Sequence, residues 1–182
     1  SMFDQITIIG CGLIGSSIFK GLKKKSSIKK IITFDNNKAV MEVVKKYNLS
    51  DEIFSSPAEA VKNSDLVLIC TPSSSFNSVI AEIKKSLKNG SILTDTLSVK
   101  KGQKPKLEDI NWIPSHPVAG TEKSGPLAGQ ENLFENRWTI ITPGKNAKDS
   151  DTKKVSLFWE TLGSKVKIMS PVEHDKILSI TS

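Results

Sequence analysis

Short apolar runs alternate with stretches of helical spacing over the first half of the chain. Residues 6–9 form a strand-like apolar run, and residues 13–24 repeat apolar side chains at the spacing of one helix face. The same alternation predicts strands at residues 31–34, 65–70 and 91–95, helices at residues 38–47 and 76–87, and a short helix opened by Ser56 and Pro57. Strands that alternate with amphipathic helices are typical of a parallel sheet.

The second half of the chain has a different texture. A short strand is predicted at residues 112–114, and residues 115–129, rich in Gly, Pro, Ser and Thr, are predicted to form a loop. Strands at residues 138–141 and 165–169, a helix at residues 149–162, and a new helix begun by Ser170, Pro171 and Glu173 follow. The whole pattern predicts an α/β fold with a doubly wound, Rossmann-type, mostly parallel sheet.

The first predicted strand and helix are joined by Gly10-Cys11-Gly12-Leu13-Ile14-Gly15, a G-x-G-x-x-G spacing. This fingerprint indicates dinucleotide binding when it follows a strand and opens a helix, as it does here. Gly10 allows the tight turn, Gly12 lets the backbone approach a pyrophosphate, and Gly15 lets the helix pack closely on the strand. We therefore expect Gly10, Gly12, Leu13, Ile14 and Gly15 to bind the cofactor at the helix N-terminus.

Asp35 ends the second predicted strand, where a carboxylate commonly accepts hydrogen bonds from the adenosine ribose. Its charge would repel a 2′-phosphate and no arginine follows it, so the pattern favours NAD, although Lys38 leaves NADP open. Thr71-Pro72 ends a buried strand at the sheet edge where ligands bind, and it is interpreted as a cofactor contact or as a plain strand terminator. The alternative for the whole set is a glycine-rich turn in an ordinary α/β domain.

The net charge of +7 and the sequence pI of about 9.3 raise the question of a polyanionic partner. Arg137 is the single arginine, and arginine dominates specific nucleic-acid recognition, so we expect no nucleic-acid partner but a preference for a small anionic substrate. No apolar run approaches the ~20 residues that span a bilayer, and no secretory signal is recognised, so a cytoplasmic protein without a membrane partner is expected. Cys11 and Cys70 are predicted to be reduced core residues, and no metal site is indicated.

Catalytic residues are expected between residues 115 and 125, because this segment combines an imidazole, a carboxylate, an ammonium group and several hydroxyls. A dehydrogenase that oxidises an alcohol needs a base for the hydroxyl proton, and histidine titrates near neutral pH. We interpret His116 as that base, and His174, among charged residues on the last helix, as structural. Ser98 follows another strand end and is interpreted either as a contact of the reacting hydroxyl or as a turn residue.

Several of these motifs together resemble one enzyme family. They are Gly10-Cys11-Gly12-Leu13-Ile14-Gly15-Ser16-Ser17, Cys70-Thr71-Pro72, Asp95 through Lys100, His116 through Gly125, and Ser170 through Asp175. This set resembles the prephenate/arogenate dehydrogenases of tyrosine biosynthesis, from residue 6 to the end of the chain. The run from His116 to Gly125 is the most distinctive motif, because many oxidoreductases share the glycine fingerprint.

The resemblance implies NAD-dependent oxidative decarboxylation of prephenate to 4-hydroxyphenylpyruvate, with arogenate, or NADP in a cyclohexadienyl dehydrogenase, as alternatives. It implies that His116 helps to remove the ring hydroxyl proton, that Ser98 aligns hydroxyl, histidine and nicotinamide, and that Thr121, Glu122 and Lys123 lie in a substrate loop. Leu97 departs from the glycine usual in the family. Outside this class, a non-catalytic dinucleotide sensor or another Rossmann reductase of small acids or imines would share the fingerprint but not the long motif.

The resemblance also implies a domain division. Residues 2–169 would form the dinucleotide-binding domain, and residues 170–182 would begin a C-terminal helical domain. In the family that helical domain supplies a substrate-binding arginine and the homodimer interface. We therefore expect a homodimer through the helical domain, and little turnover by residues 1–182 alone.

Overall fold

The structure, a computed structural model, describes residues 3–97, 109–118 and 125–181, with side chains as far as residue 177. The strands are β1 (Gln5–Ile9), β2 (Lys30–Phe34), β3 (Leu66–Ile69), β4 (Ile92–Asp95), β5 (Ser115–Pro117), β6 (Trp138–Ile141) and β7 (Lys165–Ile168). The helices are α1 (Leu13–Lys25), α2 (Lys38–Lys46), α3 (Pro57–Val61), α4 (Phe76–Ile83), α5 (Asp149–Thr161) and α6 (Pro171–Thr181). Single 3₁₀ turns lie at Ser73–Ser75, Lys84–Ser86 and Pro126–Ala128.

Four parallel strands form the first sheet, in the order β2-β1-β3-β4. Every residue of β3 and β4 is buried, because helices and loops cover both faces of the sheet. This explains why the strands appear in the sequence as nearly continuous apolar runs. The predicted α/β class with a mostly parallel, Rossmann-type sheet is confirmed for this part of the chain.

Three strands form the second sheet, in the order β5-β6-β7, with β5 antiparallel and β7 parallel to β6. The strand predicted at residues 112–114 is wrong, since Trp112 makes only an isolated bridge to Leu93. The strand lies instead at Ser115–Pro117, where a loop was predicted. Pro117 has no N–H to donate, so its presence argues against a strand in the sequence. A proline is nevertheless tolerated on an edge strand such as β5.

The two sheets are joined by a core of aromatic and polar contacts. Trp159 of α5 is fully buried and packs edge-on against Phe134 and Phe158, with ring centroids 5.4 and 5.2 Å apart. Its indole N–H donates to the hydroxyl of Ser115 over 3.1 Å, and that hydroxyl pairs with Thr94 of β4 over 2.8 Å. This buried network fixes the start of β5 beside the end of β4.

The predicted helix starts agree with the structure. The Ser56 hydroxyl accepts from the Glu59 N–H over 3.2 Å, and the Ser170 hydroxyl accepts from the Glu173 N–H over 3.1 Å. In the second case the Glu173 carboxylate also accepts from the Ser170 N–H, which completes a capping box. Among the helices of the described residues, none is long and apolar enough to span a membrane.

Candidate active site

A cleft of about 780 Å³ opens beyond the carboxyl ends of the parallel strands, a size usual for small-molecule sites. Described residues from both sheets line it. They include Gly10, Gly12, Ile14, Asp35, Thr71, Pro72, His116, Pro117 and Pro126. The cleft lies where ligands bind in open α/β sheets, beyond the carboxyl ends of the strands.

Gly10 and Gly15 make the turn between β1 and α1 possible. Gly10 has φ +102°, and a side-chain carbon there would lie 2.9 Å from backbone atoms of Cys70 and Thr71. A side-chain carbon at Gly15 would collide with the carbonyl oxygen of Gly10. The helix therefore packs against the turn at a distance that only glycine allows, as the fingerprint predicts.

Gly12 has a different environment from the other two glycines. A side-chain carbon built on it meets no atom of the described residues within 4 Å, so the space beside it belongs to the cleft. Gly12 is also the N-cap of α1, and no side chain caps that helix end. The uncapped N–H groups and the open space fit a bound phosphate group.

The fingerprint residues divide between the cleft and the core. Gly10, Gly12 and Ile14 line the cleft. Leu13 packs against the hydrophobic core, and Gly15 contacts the turn. Any contact of Leu13 and Gly15 with a cofactor would therefore come from backbone at the start of the helix.

Asp35 is fixed against the glycine turn. One carboxylate oxygen accepts from the Cys11 N–H over 2.8 Å, and the other accepts from the Asn37 N–H over 2.9 Å. Asn37 in turn caps α2, where its side chain accepts from the Ala39 N–H over 2.9 Å. The carboxylate is thus held at the cleft wall, beside Val40, in the position predicted for ribose binding.

Thr71 and Pro72 follow β3 and line the cleft, as predicted. The Thr71 hydroxyl is buried and has no hydrogen-bond partner in the described part of the chain. Buried hydroxyl groups in native proteins nearly always have a partner. A polar group of a ligand in the cleft would supply the missing bond, which favours cofactor contact over a plain strand terminator.

His116 lies in the middle of β5, opposite Ile140 of β6, and its partly exposed ring lines the cleft. Its Nδ1 is 3.0 Å from Nε2 of His174, and the ring centroids are 5.2 Å apart at 64°. His174 is fully buried in the first turn of α6. The structure therefore brings together the two histidines of the chain, which the sequence interpretation had separated.

A family model described as "Prephenate dehydrogenase, nucleotide-binding domain" matches residues 18–168. The chain belongs to this family. It is 34% identical to a cyclohexadienyl dehydrogenase from Zymomonas mobilis over the whole chain and 64% of that relative.

Solved structures agree with this assignment to the prephenate dehydrogenase family. The prephenate dehydrogenase from Aquifex aeolicus, in complex with hydroxyphenyl propionate and NAD+, is 31% identical, with a TM-score of 0.88 over 96% of this chain and 63% of that one. A Synechocystis arogenate dehydrogenase is 25% identical, with a TM-score of 0.89 over 98% of this chain and 64% of that one. The chain thus spans 63–64% of the length of these relatives, less than two thirds.

Four predicted site residues of this family member lie outside the described residues. They are Ser98, Thr121, Glu122 and Lys123. Their roles in alignment and substrate binding stay predictions. Two of the described residues that border these gaps line the cleft: Leu97, before the first gap, and Gly125, after the second.

Asp95, which ends β4, is a site residue whose structural role sequence reasoning missed. Its carboxylate is fully buried and accepts from the N–H groups of Leu97 and Ser115, at 3.2 and 3.3 Å, and from the Trp112 indole at 3.1 Å. It holds the residues before Ser98 and the strand of His116 at one point. The signals in the sequence were its place at a strand end and its place in the family motif from Asp95 to Lys100.

Cys11 and Cys70 both line the cleft as free thiols. Burial, reinforced by the charge of Asp35, raises the pKa of Cys11 from 9.0 to about 12. Burial also raises the pKa of Cys70 to about 12. Both therefore stay protonated at neutral pH and are poor nucleophiles. As for metal binding, the described residues contain no cluster of three or more metal-ligating side chains.

Proposed function

We propose that this chain is the cofactor-binding part of an enzyme that oxidatively decarboxylates prephenate to 4-hydroxyphenylpyruvate with NAD. One observation carries the proposal: His116 lines the same cleft as the glycine turn and Asp35. A base and a dinucleotide site that share one cleft fit dehydrogenation of a hydroxyl group. Membership of the prephenate dehydrogenase family supports that reaction class, since the chain matches the family model over residues 18–168.

Successive residues along the cleft suit successive parts of an NAD molecule. Its pyrophosphate would lie beside Gly12 at the N-terminus of α1, where the partial positive charge favours phosphate. Its adenosine ribose would hydrogen-bond the carboxylate of Asp35, which two backbone N–H groups already hold in place. A 2′-phosphate would meet the negative charge of Asp35, so NAD is favoured over NADP.

His116 is proposed to accept the proton of the ring hydroxyl on the carbon that loses hydride. When bound, the nicotinamide supplies the hydride acceptor. The carbon–carboxylate bond of the ring then breaks, CO2 leaves, and its electron pair completes the aromatic ring, whose phenolate oxygen takes a proton back to give the product hydroxyl. Ser98 is proposed to align the hydroxyl, and Thr121, Glu122 and Lys123 to contact the substrate, on the family resemblance of their motifs alone.

Two related functions keep specific support. The relatives include a cyclohexadienyl dehydrogenase from Zymomonas mobilis and an arogenate dehydrogenase from Synechocystis, and both resemble this chain over nearly its whole length. Arogenate therefore stays the second candidate substrate, and NADP the second cofactor. The net charge of +7 suits either substrate, because both are carboxylates.

The domain organisation is proposed on the same resemblance. Residues 2–169 would be the dinucleotide-binding domain and residues 170–182 the beginning of a helical domain that forms a homodimer. Val172 and Ile177 of α6 are exposed apolar residues, 77% and 43% accessible, which fits a helix that packs against further protein.

A substrate panel tests the proposal. The full-length protein is offered prephenate and arogenate, each with NAD and with NADP, and reduced nicotinamide is followed by absorbance. We expect the highest kcat/KM with prephenate and NAD. Failure to oxidise either substrate would refute the proposal that the protein is this dehydrogenase. If calorimetry still detects NAD binding, the hypothesis of a non-catalytic dinucleotide sensor would remain.

The variant His116→Asn separates the base from the cofactor site. We expect kcat to fall about 10²- to 10⁴-fold, the usual contribution of a general base, while the Kd for NAD stays unchanged. Lys167→Asn, an exposed change on strand β7 of the same sheet, is the matched control and should leave both values unchanged. Turnover by His116→Asn at the wild-type rate would remove His116 from the mechanism.

A further inference from the structure

The two histidines form a pair that sequence reasoning did not anticipate, and its meaning rests on the proposed function. His174 Nε2 lies 3.0 Å from His116 Nδ1, a normal hydrogen-bond distance between nitrogens. Each neutral imidazole carries one N–H and one bare nitrogen. One ring therefore donates and the other accepts, and the direction of the bond sets which nitrogen of His116 carries the proton.

Only one direction is compatible with His116 as a base. If His174 donated, Nδ1 of His116 would be its bare nitrogen and Nε2 would carry a proton, so that His116 could not accept another at Nε2. If His116 donates from Nδ1, its Nε2 becomes the bare nitrogen and can take the substrate proton. The bond then becomes charge-assisted once His116 is protonated, and such bonds are roughly twice as strong as neutral ones.

We propose that His174 is a positioning residue that accepts a hydrogen bond from His116 Nδ1 and so keeps His116 in the tautomer that serves as base at Nε2. A histidine is often oriented in this way by an acceptor on its other nitrogen, and a carboxylate does so in hydrolase triads. Here the acceptor is a neutral ring, so no buried charge is needed.

The surroundings of His174 suit a fixed acceptor. Its ring is fully buried, and the capping box of Ser170 and Glu173 fixes the helix turn that carries it. Its backbone N–H donates to the Ser170 carbonyl over 3.1 Å. His116 is fixed from the other side, because its strand neighbour Ser115 is bonded to Asp95 and Trp159. Both rings are thus attached to rigid elements, which preserves the geometry of the pair.

Nitrogen NMR of the histidine side chains in the 182-residue chain tests the tautomer without any turnover. Protonated and bare ring nitrogens have well-separated shifts, so the spectrum reports which nitrogen carries the proton. We expect Nδ1–H and bare Nε2 for His116 in the wild type, and a shift toward the Nε2–H tautomer in His174→Ala. Val172→Ala, an exposed change on the same helix, should leave the tautomer as in the wild type.

Conservative variants separate positioning from packing. The side-chain oxygen of glutamine reaches about as far as Nε2 of histidine and can accept from His116, whereas the shorter asparagine cannot. In the full-length enzyme we expect His174→Ala and His174→Asn to lower kcat roughly 10- to 100-fold, as loss of an orienting partner typically does. KM should change less than about threefold, and His174→Gln should recover most of kcat.

Three results would overturn the proposal. They are an Nε2–H tautomer of His116 in the wild type, an unchanged tautomer in His174→Ala, and a KM rise without a kcat loss, which would make His174 a substrate contact. The NMR result is independent of the proposed function. A full-length protein that oxidises neither prephenate nor arogenate would refute the proposed function, while the spectrum would still decide the tautomer.

Discussion

The four-stranded sheet contributes a glycine turn and the carboxylate of Asp35 to the cleft, whereas the three-stranded sheet contributes the imidazole of His116. The first region is shaped by three residues without side chains, Gly10, Gly12 and Gly15, and the carboxylate of Asp35 is hydrogen-bonded to the turn that they form. The second region presents His116, whose ring partner lies 58 residues further along the chain. One region is specified by spacing within a single strand-turn-helix-strand unit, and the other by tertiary contacts.

The two halves of the site depend to different extents on the rest of the molecule. The glycine turn is formed by β1, α1 and the end of β2, with the end of β3 packed against Gly10. The position of His116 needs the pairing of β5 with β6, the bonds from Asp95 to Ser115, and the burial of His174. Substitutions should therefore act on binding in the first region, and on the alignment of the base in the second.

Gly15→Ala should have the largest effect, because it breaks the packing on which the first region rests. The new methyl group would overlap the Gly10 carbonyl oxygen and approach Ile8 Cγ2 to 3.2 Å, and backbone cannot yield as a side chain can. We expect a loss of about 3 kcal/mol or more in the free energy of unfolding, at the upper end of overpacking effects. Urea denaturation would measure it, and an unchanged midpoint would mean that α1 can shift away from the turn.

Gly12→Ala is the matched change at the same turn and should act on binding alone. Its methyl group meets no described atom within 4 Å, and its φ of −90° suits alanine. We expect the free energy of unfolding to change by less than about 0.5 kcal/mol, whereas NAD affinity falls about 100-fold, or about 2.7 kcal/mol. Calorimetry and urea denaturation of the same variant would check both. A loss of stability without a loss of affinity would place the phosphate elsewhere.

The same contrast explains what could be predicted from the sequence. Gly10, Gly12 and Asp35 lie at the turn and strand end where the sequence predicts them, because a fixed spacing around one turn defines their geometry, and their contacts with a cofactor stay predictions. Strand β5 was taken for a loop because Ser115-His116-Pro117 has no apolar alternation and contains proline. Its conformation comes from pairing with β6, a partner distant in sequence, which local propensity cannot register.

His174 illustrates the limit more sharply. Its neighbours Glu173, Asp175 and Lys176 are charged, so the local pattern indicates an exposed position. The structure nonetheless buries it fully, because the first turn of α6 lies against His116. No periodicity within a single helix turn could reveal this burial, and only the family motif from Ser170 to Asp175 hinted at a role.

Asp95→Asn should have an intermediate effect and test the anchoring of the second region. An amide retains one acceptor oxygen but turns an N–H group toward donors that the carboxylate now satisfies, those of Leu97, Ser115 and the Trp112 indole. We expect the free energy of unfolding to fall by about 2 kcal/mol, as for a lost bond to a buried charged group.

Asp149→Asn is the control for this change, because Asp149 is exposed at the start of α5. It should alter the free energy of unfolding by less than about 0.5 kcal/mol. Equal effects of the two variants would show that the bonds to Asp95 from Leu97, Ser115 and Trp112 add nothing to the joining of the sheets. A large effect of Asp95→Asn on kcat, with NAD affinity unchanged, would confirm that this carboxylate serves the second region.

The smallest effect is expected at the thiols of the first region, Cys11 and Cys70, which should be protonated and unreactive at neutral pH. Since burial raises the pKa of both Cys11 and Cys70 from 9.0 to about 12, their thiolate fraction at pH 8 should be about 1,000-fold below that of the unfolded chain. Labelling by a thiol-reactive disulfide should be correspondingly slow until denaturant is added. The thiols should also leave stability independent of pH below about 9, where native and unfolded chains are both protonated.

Above pH 9 the unfolded thiols lose their protons first, so this contribution to stability should decline as the pH rises toward 12. Urea denaturation of the wild type and of Cys11→Ala at pH 7 and pH 10 would isolate it, because the variant lacks one of the two titrating groups. Rapid labelling of the native chain at pH 8 would contradict the view that the region of the glycine turn is shaped by local contacts alone. It would mean that the glycine turn opens on its own, and that the first region also depends on contacts made elsewhere in the molecule.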